Sequence, residues 1–235
     1  MLLKEIEMDF PYVRDMSRGE YDTVQDYQLN WKQKRRQFQL MTRCMTAMVE
    51  RIMPQITTKD CWKISIECVE KLSGKEIVNM MGTYEVEVPF DMKLFLEMDS
   101  FEKKKYVVTK IREAIRRIAQ NNLFDVEGIE NACNTVESLN YVNEWYWKKP
   151  VKQKHLSVQV KVLHEVECVT ISLVFRDSLL NSCKEKILVS ALPDEWVYAR
   201  YLGKLEWISE KTARLSAKTG RYFPATGECF TATYE

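Results

Sequence analysis

Residues 155–175, HLSVQVKVLHEVECVTISLVF, change phase partway along. Apolar residues fall on even positions at Leu156, Val158, Val160 and Val162, then on odd positions at Val169, Ile171, Leu173 and Phe175. A strand keeps one face apolar only while its period of two is unbroken, so the shift cannot lie inside one regular strand. A single strand of that length would also reach about 66 Å at about 3.3 Å per residue, too long for a compact domain of this size. The alternation therefore predicts two strands and a hairpin or sharp bulge within 163–168. KEKILVSAL supplies a further strand.

The other long pattern lies near the start. Val24, Tyr27, Trp31, Phe38, Met41, Met45, Met48 and Ile52 follow a spacing of threes and fours, broken only where Lys34 takes an inner position, and Pro54 closes it. One helix over roughly 18–53 is expected, begun by a capping box at Ser17-Arg18-Gly19-Glu20. At about 50 Å it would span a domain about 45 Å across. It is either a spine packed on a sheet or the seam of a homo-oligomer.

Between these patterns, CWKISIEC, EIVNMM and TYEVEVPFDMKLFLEM read as strands of an antiparallel meander, with turns at Ser73-Gly74 and Gly82. Ser100 is expected to cap a second helix with the stripe Val108, Ile111, Ile115 and Ile118. A third helix over about 125–148 would bury Val126, Ile129, Cys133, Val136 and Leu139, and Pro150 would end it. After Pro193 the chain fits either a helix containing Gly203 or a hairpin turning there, followed by a short strand in ECFTATYE. The fold class expected is α+β: mainly antiparallel sheets, one long N-terminal helix and two further amphipathic helices packed on the sheet. A single domain over 1–235 is expected, with a weaker subdivision into 1–150 and 151–235 as the alternative.

Chemistry is harder to find. The seven cysteines are odd in number and mostly sit in apolar runs, which suits reduced thiols in a cytoplasmic protein. The first residues carry acids where a signal peptide needs an apolar run, and no stretch has the length of a membrane span. There is no Cys-x-x-Cys, no His-x-x-x-His, no Gly-x-Ser-x-Gly and no glycine-rich phosphate loop. His164 and Cys168 are the nearest approach to a metal pair, and no metal or cofactor is expected. An enzyme would need a site assembled from distant residues, for instance around His155 or His164.

Charge is segregated although the net charge is only +1. Residues 103–117 are basic, with Lys103, Lys110 and Arg117 at intervals of seven and Arg116 beside them. Such a line could follow a phosphate backbone, or be compensated by the acidic helix after it. That helix carries Glu127, Glu130 and Glu137. Next comes YVNEWYWKKP, three adjacent aromatics running into lysines. With 145 on a helix, Trp145 is expected to project outward.

Trp, Tyr and cations are the types enriched at interface hot spots. The leading expectation is a non-catalytic cytoplasmic protein-binding module, such as an inhibitor or immunity-type antagonist. Its anchor and rim would be Tyr141, Trp145, Trp147, Lys148 and Lys149, with Glu127, Glu130 and Glu137 contributing electrostatically. The alternative is a nucleic-acid binder using Lys103, Lys110, Arg116 and Arg117.

Overall fold

The computed structural model describes residues 1–13, 23–121, 123–220 and 227–235. The capping box expected at 17–20 lies outside the described residues. The fold is α+β, and most of its strand pairing is antiparallel. Two compact units are present, Met1–Tyr141 and Val142–Glu235.

In the first unit, β1 (Glu5–Asp9), β2 (Lys63–Val69), β4 (Thr83–Pro89) and β3 (Val78–Met80) form a sheet in that order. β1 pairs with β2, and β2 with β4, in parallel; only β3 runs antiparallel to its neighbour. The expected meander is thus limited to the β3–β4 hairpin. Its two-residue turn places Met81 at φ 54° and Gly82 at φ 88°, the pair of positive values that a tight hairpin needs.

The alternation of these parallel strands has a physical cause. Parallel strands are usually covered on both faces and read as continuous apolar runs. Here one face is buried, with Ile64, Ile66 and Cys68 of β2, while the other carries Lys63, which pairs with Glu5 and Glu7 of β1. One polar face gives the alternation normally written by antiparallel strands.

The long helix runs from α1 (Thr23–Asp26) through a π turn at Tyr27–Trp31 into α2 (Lys32–Ile52). α2 acts as a spine: Phe38, Met45, Met48 and Val49 are buried in the core built with the sheet. It also closes the open edge of β1. The carboxylate of Glu50 accepts the Ile6 backbone N–H at 2.8 Å and is itself held by both terminal nitrogens of Arg43. Arg35 makes a two-point pair with Asp9, 2.6 and 2.7 Å. A polar helix face laid over an edge strand removes a template for aggregation.

DMKLFLEM, expected as strand, forms α3 (Met92–Glu97), because the Asp91 side chain accepts the Leu94 N–H and caps it. α4 (Ser100–Gln120) is capped one residue before the expected Ser100. Asp99 and Glu102 satisfy each other's backbone N–H in a capping box. Its stripe Val108, Ile111, Ile115 and Ile118 is fully buried, each side chain contributing about 1.5–3 kcal/mol by leaving water.

α5 (Glu127–Ser138) stops ten residues short of the expected end. Asn140 and Tyr141 both adopt positive φ, at 51° and 57°, and the Tyr141 N–H bonds back to the Val136 carbonyl. Asn tolerates this left-handed C-cap, so Asn140 was the stop signal rather than Pro150. Leu139, expected inside, is half exposed as a result.

In the second unit, β5 (Glu144–Gln153), β6 (Leu156–His164), β7 (Val169–Asp177) and β8 (Ser182–Ala191) form an antiparallel meander. The phase change is a hairpin closed by the Glu165 N–H on the Cys168 carbonyl. A short helix α6 (Glu195–Tyr198) precedes a second sheet of β9 (Lys204–Trp207), β10 (Thr212–Ser216) and β11 (Cys229–Thr233). The two sheets share one core, with Val158, Val160, Ile171, Leu173 and Phe175 packed with Ala213 and Leu215. The β9–β10 turn falls at residues 208–211, not at Gly203.

Thiol reactivity checks this burial. Cys44, Cys61, Cys68 and Cys133 are buried, and Cys183 and Cys229 exposed. Burial pushes the Cys133 thiol up to about 12, against the weaker pull of Arg112. An aromatic disulfide reagent is expected to modify Cys183 and Cys229 rapidly and the four buried thiols only after unfolding. Rapid native-state modification of Cys133 would contradict the described core.

Candidate functional site, a bulged groove on β5

The aromatic triplet lies on a strand, so its members alternate. Trp145 stands opposite Val162 and Trp147 opposite Val160, both in the buried row of β6, while Tyr146 faces Lys161 on the other side. Trp145 and Trp147 accordingly pack on the core, Trp145 with its ring centroid 6.4 Å from that of Tyr198. The outward projection expected of Trp145 belongs to Tyr146 instead. Tyr146 is 42% exposed, and the Arg176 guanidinium lies 5.1 Å from its ring centroid.

Beyond Trp147 the ladder breaks. Pairing resumes at Val151 with Val158, so residues 148–150 stand opposite Gln159 alone. Pro150 cannot donate to a ladder, which places it naturally in such a bulge. Two extra residues preserve the period of two, so Trp147 and Val151 still point the same way, inward. One extra residue would have turned Val151 out.

Lys148 carries the distortion, with φ at 59°. A non-glycine residue held there costs about 1–3 kcal/mol unless its surroundings impose the conformation. Here Gln159 donates from its side-chain amide to the Lys148 carbonyl at 2.6 Å. The Trp207 indole N–H, from β9, donates to the Val151 carbonyl at 3.1 Å. Both ends of the bulge are therefore pinned.

The bulge borders a groove of about 240 Å³, floored by Trp147, Val151 and Leu205 and walled by Gly203. Gly203 is there because β10's end runs close behind it. A Cβ at 203 would collide with the Ser216 carbonyl oxygen and the Ala217 backbone. Close backbone approach, rather than a turn, is the reason for that glycine.

Three lysines rim the groove, Lys148, Lys149 and Lys204, all exposed. The Lys148 ammonium lies 4.2 Å from the Trp147 ring centroid, and Lys204 meets Glu206 at 2.6 Å. Glu206 is shared with Arg214, also at 2.6 Å, and the two cations hold its carboxyl below the usual range. An exposed pair such as Lys204–Glu206 contributes little and can exchange partners readily.

The other expected residues lie elsewhere. Tyr141 belongs to the first unit, where its ring meets Phe101 edge-on at 5.5 Å. Glu130 and Glu137 are both engaged by Arg112 of α4, and Glu127 is exposed at the start of α5. The basic line on α4 is largely turned inward. Lys110 is buried, held by Glu113 at 3.0 Å and lying 5.1 Å from the Tyr106 ring. Arg117 donates to the Glu87 backbone carbonyl, and Lys103 lies over Phe95 at 5.9 Å. Arg116 alone of the four is exposed.

His155 stands 3.7 Å from Asp177, beyond hydrogen-bond reach, and that carboxylate takes the backbone N–H groups of Leu179 and Leu180 instead. His164 is buried with its ring edge-on to Tyr198, 5.6 Å away. Among the described residues, no group of His, Cys, Asp and Glu side chains is placed to hold a metal ion. Compared with family models, curated proteins and solved structures, the chain matches none.

Two substitutions separate strain from packing. Lys148→Gly relieves the positive φ and is expected to leave stability unchanged or raise it by about 1 kcal/mol. Gly203→Ala is expected to destabilise by about 1–3 kcal/mol through overpacking. Urea unfolding followed by tryptophan fluorescence reads both, and a destabilised Lys148→Gly protein would show that the bulge conformation is not strained.

Proposed function

We propose that the protein is a non-catalytic, cytoplasmic protein-binding module whose docking site is the β5 groove. It acts in the manner of an inhibitor or immunity-type antagonist that covers a surface of another protein. The single observation that carries this reading is the pinned, strained bulge. It places Lys148 and Lys149 at the mouth of a groove with a tryptophan floor, where a plain strand would have continued the ladder. Strain of this kind clusters at functional sites.

Partly buried tryptophan with a cationic rim is also the composition of an interface anchor. No helix among the described residues is long and apolar enough to cross a membrane. The nucleic-acid reading loses its basis in α4, because Lys103, Lys110 and Arg117 are engaged within their own unit.

The test compares the wild-type chain with a Lys149→Glu/Lys204→Glu double variant as bait in extracts of the source cells, with quantitative mass spectrometry. Both substitutions are on exposed side chains and should leave the unfolding transition in place. The expected result is one protein recovered in near-stoichiometric amount by the wild type and roughly tenfold less by the variant, a change of about 1.4 kcal/mol. Equal recovery of every retained protein by both baits would reject the groove as the docking site.

A further inference from the structure

We infer that the occupant of the β5 groove is an extended, carboxylate-rich peptide segment of the partner, with an apolar side chain seated on Trp147 and acids reaching the lysine rim. This rests on the groove being a docking site and adds the chemistry of what docks.

Charge complementarity is the first support. Lys148, Lys149 and Lys204 line the opening, no carboxylate is among the lining residues, and Glu206, which pairs with Lys204, is shared with Arg214. An incoming carboxylate can therefore take Lys148 and Lys149 without competing for that acid. The floor of Trp147, Val151 and Leu205 is apolar and accepts one aliphatic or aromatic side chain. At about 240 Å³ the groove suits one or two residues of a peptide, not a folded domain's face.

The geometry also separates an acidic peptide from a single-stranded nucleic acid. Base stacking needs an open aromatic face. Trp145 and Trp147 are turned to the core, the Lys148 ammonium lies over the Trp147 ring, and the outward Tyr146 ring carries Arg176 over one face. Trp147 is only partly exposed, so one side chain can touch its remaining surface in the groove, whereas no ring here offers the full open face that a base needs. Carboxylates need only the cations.

Fluorescence anisotropy with three labelled probes tests the inference on the full chain. The probes are a short peptide alternating Glu and Leu, the same peptide with Gln for Glu, and a single-stranded oligonucleotide. The acidic peptide is expected to bind, to weaken roughly tenfold in the Lys149→Glu/Lys204→Glu protein, and to weaken further as salt screens the rim, whereas the Gln peptide binds at least tenfold more weakly.

Equal binding of the Glu and Gln peptides would overturn the carboxylate requirement, and tighter binding of the oligonucleotide would overturn the choice of peptide. Acidic-peptide binding that survives the double substitution would place the site elsewhere. Absence of acidic-peptide binding alongside a cellular partner that still depends on Lys149 and Lys204 would reject the chemistry while sparing the docking site.

Discussion

The second unit depends on a parity constraint in β5. Its inner face must supply Trp145, Trp147 and Val151 to the core shared by the two sheets, yet the strand is interrupted between the last two. Only an even insertion satisfies both demands. Residues 148–150 provide it: a left-handed lysine, a second lysine and a proline that needs no ladder partner. The interruption leaves the core intact, sets the Lys148 ammonium over the Trp147 ring and leaves Lys149 exposed beside it in the chain. Site and fold are thus two results of one local rearrangement.

In the first unit much of the charge is met within the unit. The basic face of α4 meets Glu113, Glu130, Glu137 and the Glu87 carbonyl, and on α2 Arg35 meets Asp9 of β1 while Arg43 holds Glu50 of the same helix against the Ile6 N–H. Partly buried charged hydrogen bonds of this type are stronger than exposed ones and fix how helices sit on a sheet. Much of the segregated charge in the sequence is thus matched along a helix, between helices or against the sheet. The lysines of the β5 groove differ because they remain at the surface.

How much of this was legible depended on which signals are local. The 163–168 hairpin, the α4 stripe and the spine α2 all follow from periodicity, since burial of one face writes itself directly into spacing. β1 was overlooked although Ile6 and Met8 alternate with acids, because two inward residues among charges make a weak signal. Parallel pairing was hidden by the polar face around Lys63. The end of α5 hung on Asn140, whose left-handed tolerance is a single-residue feature that apolar spacing does not register. Of the site, Trp147, Lys148 and Lys149 were identified from composition. Gly203, Lys204 and Leu205 were not, because they reach the groove only through the turn after α6, some fifty residues on.

The proposed docking surface is the groove beside the bulge, and not the opposite face of the strand. A photo-crosslinking amino acid introduced at position 204 or at position 146 of the full chain, followed by irradiation of intact cells, addresses this directly. A discrete covalent adduct to one protein is expected from position 204 and none from position 146. An adduct from 146 with a silent 204 would place recognition on the outward face and contradict it.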